Sequence, residues 1–521
     1  MPDSPLIFTS SPAAKICGVL SFSAKFCTGS VVEIRQTFAM PQILPTGPPF
    51  RLVGLWLFLL VASVRAQTPV AVELLSQNPG AEIPADFVGL SFEMQRVLPT
   101  INGNHFFSPA NKNLIATFQT LGIKSLRVGG NTADRPGLPV PDETDADSLF
   151  HFAEAADVKV IYTLRLREGS ADAAAKMADH IFQNYQSDLS SFAIGNEPNV
   201  FNKSFPPYLA QWKIFAAQIT APTNSPHAKF SGPGVSPGHE FWSRDFADEL
   251  AGSGQIAFIS QHDYPGGDAG RVKDVAAARA KILSPAMDEH YLKFADHFVP
   301  AAISNGLPYR LEEANSFYDG GATNVSDTFA SALWALNYVW WWAAHGASGI
   351  NFHTGDTVAS REENSPCKYA VFWTSPQGCN IHPIGYALKM FSLASRGKMM
   401  PVKILSAVTN LNLAAYGILG DDKNFYVTLI NKSHDETATN LQISLGAHAD
   451  GYTKGEIIRL TSPNGDVSLK TGVTLGGAEI TDDAKWNGQW QSIAVPRQKF
   501  QFPILIELPA ASAAVVKLTP E

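Results

Sequence analysis

From residue 87 to residue 353 the chain alternates short apolar runs with longer segments whose apolar positions recur at helical spacing. Phe87–Glu93, Ser125–Gly130, Val158–Leu166, Ser191–Glu197, Phe230–Val235, Ile256–Tyr264, Tyr309–Glu313 and Gly349–His353 read as strands. Asn111–Leu121, Asp172–Gln183, Tyr208–Ile219, Arg271–Ile282 and Thr328–His345 read as helices between them. Eight strands with helical crossovers predict an α/β fold of the (β/α)8, or TIM-barrel, type. Gly232-Pro-Gly makes the fifth strand the weakest of the set. The triple Trp340-Trp341-Trp342 lies in a helical run and reads as core packing rather than a sugar platform.

Near residue 396 the texture changes to strands and turns, which predicts a C-terminal all-β sandwich. The run Val70–Leu75 has no place in the barrel and is expected to join that sandwich. The expected organisation is therefore an N-terminal extension and signal peptide over 1–66, a sandwich strand over 67–84, the barrel over 85–395 and the sandwich over 396–521.

Composition adds bounds. A chain of 521 residues with 45% hydrophobic and 17% charged residues suits a two-domain globular protein with a sizeable core. The first 66 residues contribute +3 to a formal net charge of −8, so the remainder carries −11. That balance argues against nucleic acid, or any polyanion held on a broad basic surface. Arg51 precedes the apolar run Leu52–Ala62, and Val64 and Ala66 supply small residues for cleavage after Ala66, the pattern of an export signal. The run is short of the ~20 residues of a membrane span, although an uncleaved anchor is the alternative. Met40 is a candidate true start, because the sequence before it is foreign to a signal peptide. The expected location is secreted, with no stable membrane association after cleavage.

In an oxidising compartment Cys367 and Cys379 read as one disulfide, with two free thiols as the alternative. Asn202, Asn324 and Asn431 head glycosylation sequons and are expected at the surface.

The candidate chemistry lies at two strand ends. The run Ser191–Ile194 leads into Gly195-Asn196-Glu197-Pro198, and Pro198 cannot continue a ladder. Asn196 and Glu197 thus fall at the C-terminal end of the fourth strand, on the face where barrel enzymes hold their active sites. Glu313 ends the seventh strand. Two such carboxylates across a barrel mouth are what glycoside cleavage needs, one to protonate the leaving oxygen and the other to attack the anomeric carbon or activate water. Glu312 competes with Glu313, but neighbouring strand residues point to opposite faces, so Glu312 is expected behind the site or in an ion pair.

The motif Gly195-Asn-Glu-Pro-Asn with a Glu at strand seven resembles clan A of the retaining glycoside hydrolases. The stretch Glu313-Ala-Asn-Ser-Phe-Tyr-Asp-Gly-Gly321 resembles the nucleophile segment of glycoside hydrolase family 79, the β-glucuronidase and heparanase group. The resemblance spans roughly residues 68–521 and implies a role for each matching residue. Glu197 would be the acid/base, Glu313 the nucleophile, and Tyr264 the tyrosine that orients the nucleophile. Asn196 would bond the sugar beside the reacting carbon, while Tyr318 and the Gly320 backbone would read the uronic carboxylate, with Asp319 facing away. Glu93, Asp134, His353 and Tyr369 are further expected substrate contacts, and Arg127 an ion-pair partner near the nucleophile. No metal and no organic cofactor is implied.

The expected function is a secreted, retaining exo-β-glucuronidase acting on terminal glucuronate, 4-O-methylated or not, in glycans or glucuronides. A heparanase-like endo-hydrolase would want clustered Lys/Arg around its cleft. The same residues also allow a clan A glycosidase of different specificity, such as a xylosidase or arabinofuranosidase, or a sugar-binding protein without catalysis.

Overall fold

The computed structural model describes residues 68–75, 79–221, 225–358, 365–408, 411–447, 452–496 and 503–520. The expected signal segment, Met40, Cys17 and Cys27 lie outside the described residues. Among the described residues no helix is long and apolar enough to cross a membrane.

Strand β1 is Thr68–Leu74. The barrel strands follow as β2 Val88–Glu93, β3 Ser125–Gly129, β4 Lys159–Leu164, β5 Leu189–Ile194, β6 Phe230–Val235, β7 Ile256–Asp263, β8 Tyr309–Ala314 and β9 Ile350–His353. They pair in parallel and in chain order, and β9 closes back on β2. All the strands of the barrel expected from the apolar runs are present, including the Gly-Pro-Gly strand β6, whose pairing with β7 is interrupted by two register shifts. Some of the helices begin on residues whose side chains accept from the first free N–H groups. Asp142 and Asp145 form a reciprocal capping box at the start of Glu143–Ala156, and Ser170 caps Ala171–Tyr185.

After the barrel comes a hairpin, β10 Phe372–Ser375 and β11 Gly378–Ile381, and then mostly strands. These are β12 Gly397–Met400, β13 Val402–Leu405, β14 Leu413–Gly420, β15 Phe425–Asn431, β16 Leu441–Ala447, β17 Tyr452–Thr461, β18 Thr474–Leu475, β19 Gln491–Ile493, β20 Ile504–Leu508 and β21 Ser512–Pro520. One sheet runs β13-β1-β16-β20, with β1 parallel to β16 and antiparallel to β13. The other runs β12-β14-β15-β21-β17-β18, with β19 also on β17.

The strand period of two explains how the larger sheet is covered on both faces. Val427, Leu429, Ala514 and Val516 pack with Val70, Val72 and Leu74 of the smaller sheet. Tyr426, Ile430, Ala513 and Val515 belong instead to the core shared with the barrel. The helix Phe329–Ala344 sits at that junction and is buried from Phe329 through Ala343, as a helix apolar on every side must be. Its Trp340 ring stacks on Tyr416 of β14 at 5.8 Å, and Tyr338 donates to Asp263 of β7 at 2.6 Å. The tryptophan triple is core.

The cysteine expectation is corrected here. Cys367 and Cys379 are both free and buried. Cys367 packs with Tyr264 and Tyr369, whereas Cys379, on β11, belongs to the main barrel core. Two separate packing clusters hold the sulfurs, so nearness in sequence does not become a bridge. Asn431 is a second correction: it is 1% exposed, and its amide donates to the carbonyls of Thr439, Leu508 and Pro509, which leaves no donor or room for a glycan. Asn324 is exposed and Asn202 half-buried.

Candidate active site

Beyond β5 the chain makes a sharp turn. Gly195 has φ +86°, and a Cβ there would lie 3.0 Å from Leu166. Glu197 itself adopts the left-handed region, φ +44° and ψ +56°, an uncommon state for a residue with a side chain and one found at functional sites. Its N–H donates to the Gly234 carbonyl at 3.0 Å, which anchors the turn against β6. Pro198 then opens a short 3-10 turn.

This turn brings Glu197 to Glu313. One oxygen of each carboxylate and a ring nitrogen of His262 lie within 4.8 Å of one another. Glu313 is held from three sides. Tyr264 Oη donates to Oε1 at 2.8 Å, Arg127 donates to Oε2, and His353 Nδ1 stands 3.8 Å from Oε2. Burial opposes the charge on Glu313, but His353, His262, Arg127 and Tyr264 outweigh it and hold the carboxyl well below the usual carboxylate range. Arg127 is completely buried and also donates to Ser91 at 3.0 Å and to Asn196 Oδ1 at 2.6 Å. Burial works against its charge too, yet Glu313 and Glu312 leave its pKa raised.

His262 was not foreseen from the sequence. Its Nδ1 is 3.0 Å from Glu197 Oε1 and 3.9 Å from Glu313 Oε2, and its Nε2 is 3.9 Å from Glu312 Oε1. Although burial favours the neutral ring, the surrounding carboxylates push its pKa up to about 9. The available signal was the strand period: His262 lies two residues before Tyr264 and shares its face. Asp263, between them, points away to Tyr338, and burial pushes its pKa up to about 7.

Glu312 takes the buried, ion-paired place expected of it. The register of β8 shifts against both neighbours, so Gln261 pairs with Leu311 while His262 pairs with Glu313. The bulge breaks the simple alternation of faces, and both carboxyls approach His262. Glu312 also accepts from Ser231 at 3.1 Å, is almost fully buried, and stays below the usual carboxylate range because His262 and Arg127 overcome the effect of burial.

A cavity of about 580 Å³ opens over the pair. Glu93, His353, Tyr264, Tyr318, Gly320 and Tyr369 line it with the two acids. Glu93 Oε2 accepts from the Thr132 N–H at 2.8 Å and its hydroxyl at 2.6 Å, while its Oε1 is 3.7 Å from His353 Nε2. Tyr318 is 41% exposed, with its ring edge toward Tyr264. Gly320 has φ +82°, and a Cβ would come within 2.1 Å of Val358, so no other side chain fits there. Its carbonyl accepts from the Lys368 N–H at 2.6 Å. Asp319 was expected to face away, but it too lines the cavity.

Asp134 has a different task from the one expected. Its Oδ1 accepts from the N–H groups of Leu166 and Arg167 at 2.7 and 2.9 Å, and its Oδ2 from that of Asn196 at 2.7 Å. Bonded to three backbone N–H groups and absent from the cavity lining, it fixes the turn carrying Asn196 rather than a sugar. Asn196 is 5% exposed, and Arg127 occupies its carbonyl oxygen.

Glu197, His262 and Glu313 are close enough to share a cation. The Arg127 guanidinium on Glu313 and a proton on His262 oppose that use, since a metal ligand must be deprotonated. The arrangement suits two carboxylates in different protonation duties, one ionised and clamped, the other bonded once and facing the cavity.

No protein-family model matches the chain. A β-glucuronidase of Aspergillus niger is 24% identical over 233 residues, covering 44% of this chain. The chain spans 37% of the length of that curated relative. Among solved structures, a 4-O-α-L-rhamnosyl-β-D-glucuronidase from Fusarium oxysporum superposes with a TM-score of 0.64 at 18% identity, over 87% of this chain and 99% of that one. A GH51 arabinofuranosidase from Xanthomonas axonopodis pv. citri gives 0.64 at 15% identity, over 87% and 100% of the two chains. These likenesses show that the chain shares its fold with solved glycoside hydrolases.

Proposed function

We propose that the chain is a retaining β-glucuronidase of glycoside hydrolase family 79, secreted and exo-acting. The observation that carries the reading is the approach of one oxygen of Glu197 and one of Glu313 to within 4.8 Å, compatible with the carboxylate spacing of about 5–5.5 Å in retaining enzymes. Glu313, ionised and clamped by Tyr264 and Arg127, attacks the anomeric carbon while Glu197 gives its proton to the leaving oxygen. Water then enters, Glu197 takes its proton, and the ester to Glu313 is cleaved with net retention. No cofactor takes part in these steps.

Glucuronate fits the cavity through Tyr318 and the Gly320 backbone, which line it together beside the catalytic pair. The β-glucuronidase relative supports the same substrate class. The pocket enclosed by the loops after β8 and β9 suits a terminal sugar, and the net charge of −11 beyond residue 66 disfavours a sulfated polymer. The expected ligand is a glucuronic-acid-containing glycan or glucuronide.

A second reading has one observation in its favour. Asp319 lines the cavity beside Tyr318 and Gly320, and a carboxylate there repels an anionic sugar, which favours a neutral-sugar glycosidase on the same barrel. Release of p-nitrophenol from the β-glucuronide and the β-glucoside separates the two. Hydrolysis of the glucuronide at ten times the glucoside rate or more supports the first, and activity on the glucoside alone overturns it.

A further inference from the structure

A second cavity, of about 350 Å³, lies outside the barrel wall beside β4. Successive side chains of a strand face opposite ways. Ile161 of β4 packs in the barrel interior with Ala193 of β5 and Phe258 of β7. Tyr162 points the other way, into the core shared with the helices, and lines the second cavity. No described residue lines both this cavity and the one over Glu197 and Glu313.

Most of the lining is apolar. Met94, Val140 and Met177 form walls, and the small side chain of Ala174, on the helix Ala171–Tyr185, leaves width between that helix and β4. Val140 is 54% exposed, so the cavity reaches solvent along an apolar rim. Two polar groups interrupt this surface. Tyr162 is 2% exposed, yet its hydroxyl bonds to no described residue. The Tyr208 hydroxyl is also without a partner, but it is sealed in the core, whereas that of Tyr162 is not sealed and its residue borders open space. A buried hydroxyl with no partner forfeits the hydrogen bonding it has in water, and a ligand in this cavity can restore it.

The second group is the Arg165 guanidinium. Its Nε donates to the Ala133 carbonyl and its Nη1 to the Leu138 carbonyl, both at 2.8 Å. A guanidinium fixed in this way offers a flat face on which an aromatic ring stacks. The thioethers of Met94 and Met177 also favour aromatic neighbours. Glu168 lines the cavity with Arg165, one charge of each sign, which suits a ligand without charge.

We propose that this cavity is an accessory binding site for a neutral, planar phenol, with its ring among the two methionines and Arg165 and its hydroxyl on Tyr162. The site is separate from the reaction at the barrel mouth and does not depend on which sugar is cleaved there. Glycoside hydrolysis frees an alcohol or a phenol as its second product, so the enzyme meets such a ligand whenever the leaving group is aromatic.

The probe is 2-naphthol, titrated calorimetrically into the full chain as wild type, Tyr162→Phe, Ala174→Phe and Tyr318→Ala, with a thermal melt to establish that each is folded. Wild type should bind one equivalent with a Kd below about 1 mM. Tyr162→Phe should weaken binding about three- to tenfold, the scale of one neutral hydrogen bond. Ala174→Phe fills the cavity and should abolish binding, while Tyr318→Ala, in the catalytic cavity, should bind as wild type does. If Ala174→Phe does not fold, Tyr162→Phe decides alone. No binding to wild type overturns the site. Binding that Tyr162→Phe leaves unchanged, or that Tyr318→Ala removes, overturns its placement. None of these measurements uses turnover, so a failure of the β-glucuronidase reading leaves their outcome untouched.

Discussion

The His262 imidazole stands 3.0 Å from the carboxylate of Glu197. Buried and surrounded by acids, its pKa is pushed up to about 9, so at neutral pH it is a cation donating to the acid/base. Because it also faces Glu313 and Glu312, one imidazolium orients Glu197 and places positive charge beside the other two acids.

This makes the site sensitive to alkali. The folded-state pKa of His262 lies above the ordinary histidine value of about 6.5, so folding holds the proton more tightly. The stabilisation is complete below about pH 6.5 and is lost as pH rises through about 9. Thermal melts of wild type should therefore fall between pH 7 and 9.5, and His262→Asn should melt lower at pH 7 but with a flatter slope over that range. Parallel slopes would remove the charge role.

The clamp on Glu313 has the opposite sign. A carboxyl held below the usual range gives stability that is present above about pH 4 and disappears as pH falls further. Tyr264→Phe removes the 2.8 Å donor, so kcat should fall about 10–100-fold and the acid limb of the rate profile should move to higher pH. Arg127→Met removes the buried cation that donates to Glu313 and should cost about 3–5 kcal/mol in denaturant unfolding.

Glu197→Ala should lower kcat/KM on substrates with poor leaving groups by about 10²–10⁴-fold, and much less on p-nitrophenyl substrates, whose departure needs little proton transfer. Added azide should restore turnover by attacking the glycosyl ester directly and giving the β-glycosyl azide. An α-azide, or no rescue, would contradict a retaining acid/base at this position.

Cys367 and Cys379 should both react with iodoacetamide in the denatured, unreduced protein, as mass spectrometry of the two tryptic peptides would show. Labelling that requires prior reduction would mean they are joined.

Much of the barrel was legible because its strands are compact apolar runs, and the Asn-Glu-Pro turn marks where β5 must stop. The helices Glu143–Ala156 and Glu240–Leu250 were not marked: the first opens on a polar turn, and the second intersperses Arg244, Asp245, Asp248 and Glu249 among its apolar residues. The pairing of Glu197 with Glu313 follows from strand number alone. What was lost depends on local geometry that sequence does not carry. A bulge in β8 decides which residue pairs with Glu312, and it is the same histidine that Glu313 faces. Asp134 stands after a barrel strand as a sugar ligand would, yet three backbone N–H groups occupy it.

The central claim is that Glu313 forms a covalent ester with a glucuronosyl unit. The direct measurement is the mass of the protein after incubation with 2-deoxy-2-fluoro-β-glucuronosyl fluoride, followed by peptide mapping. One fluoroglucuronosyl adduct on Glu313, absent in Glu313→Gln, is the predicted result. An adduct on Glu312 or Glu197, or an enzyme that cleaves glucuronides and acquires no adduct, would contradict it.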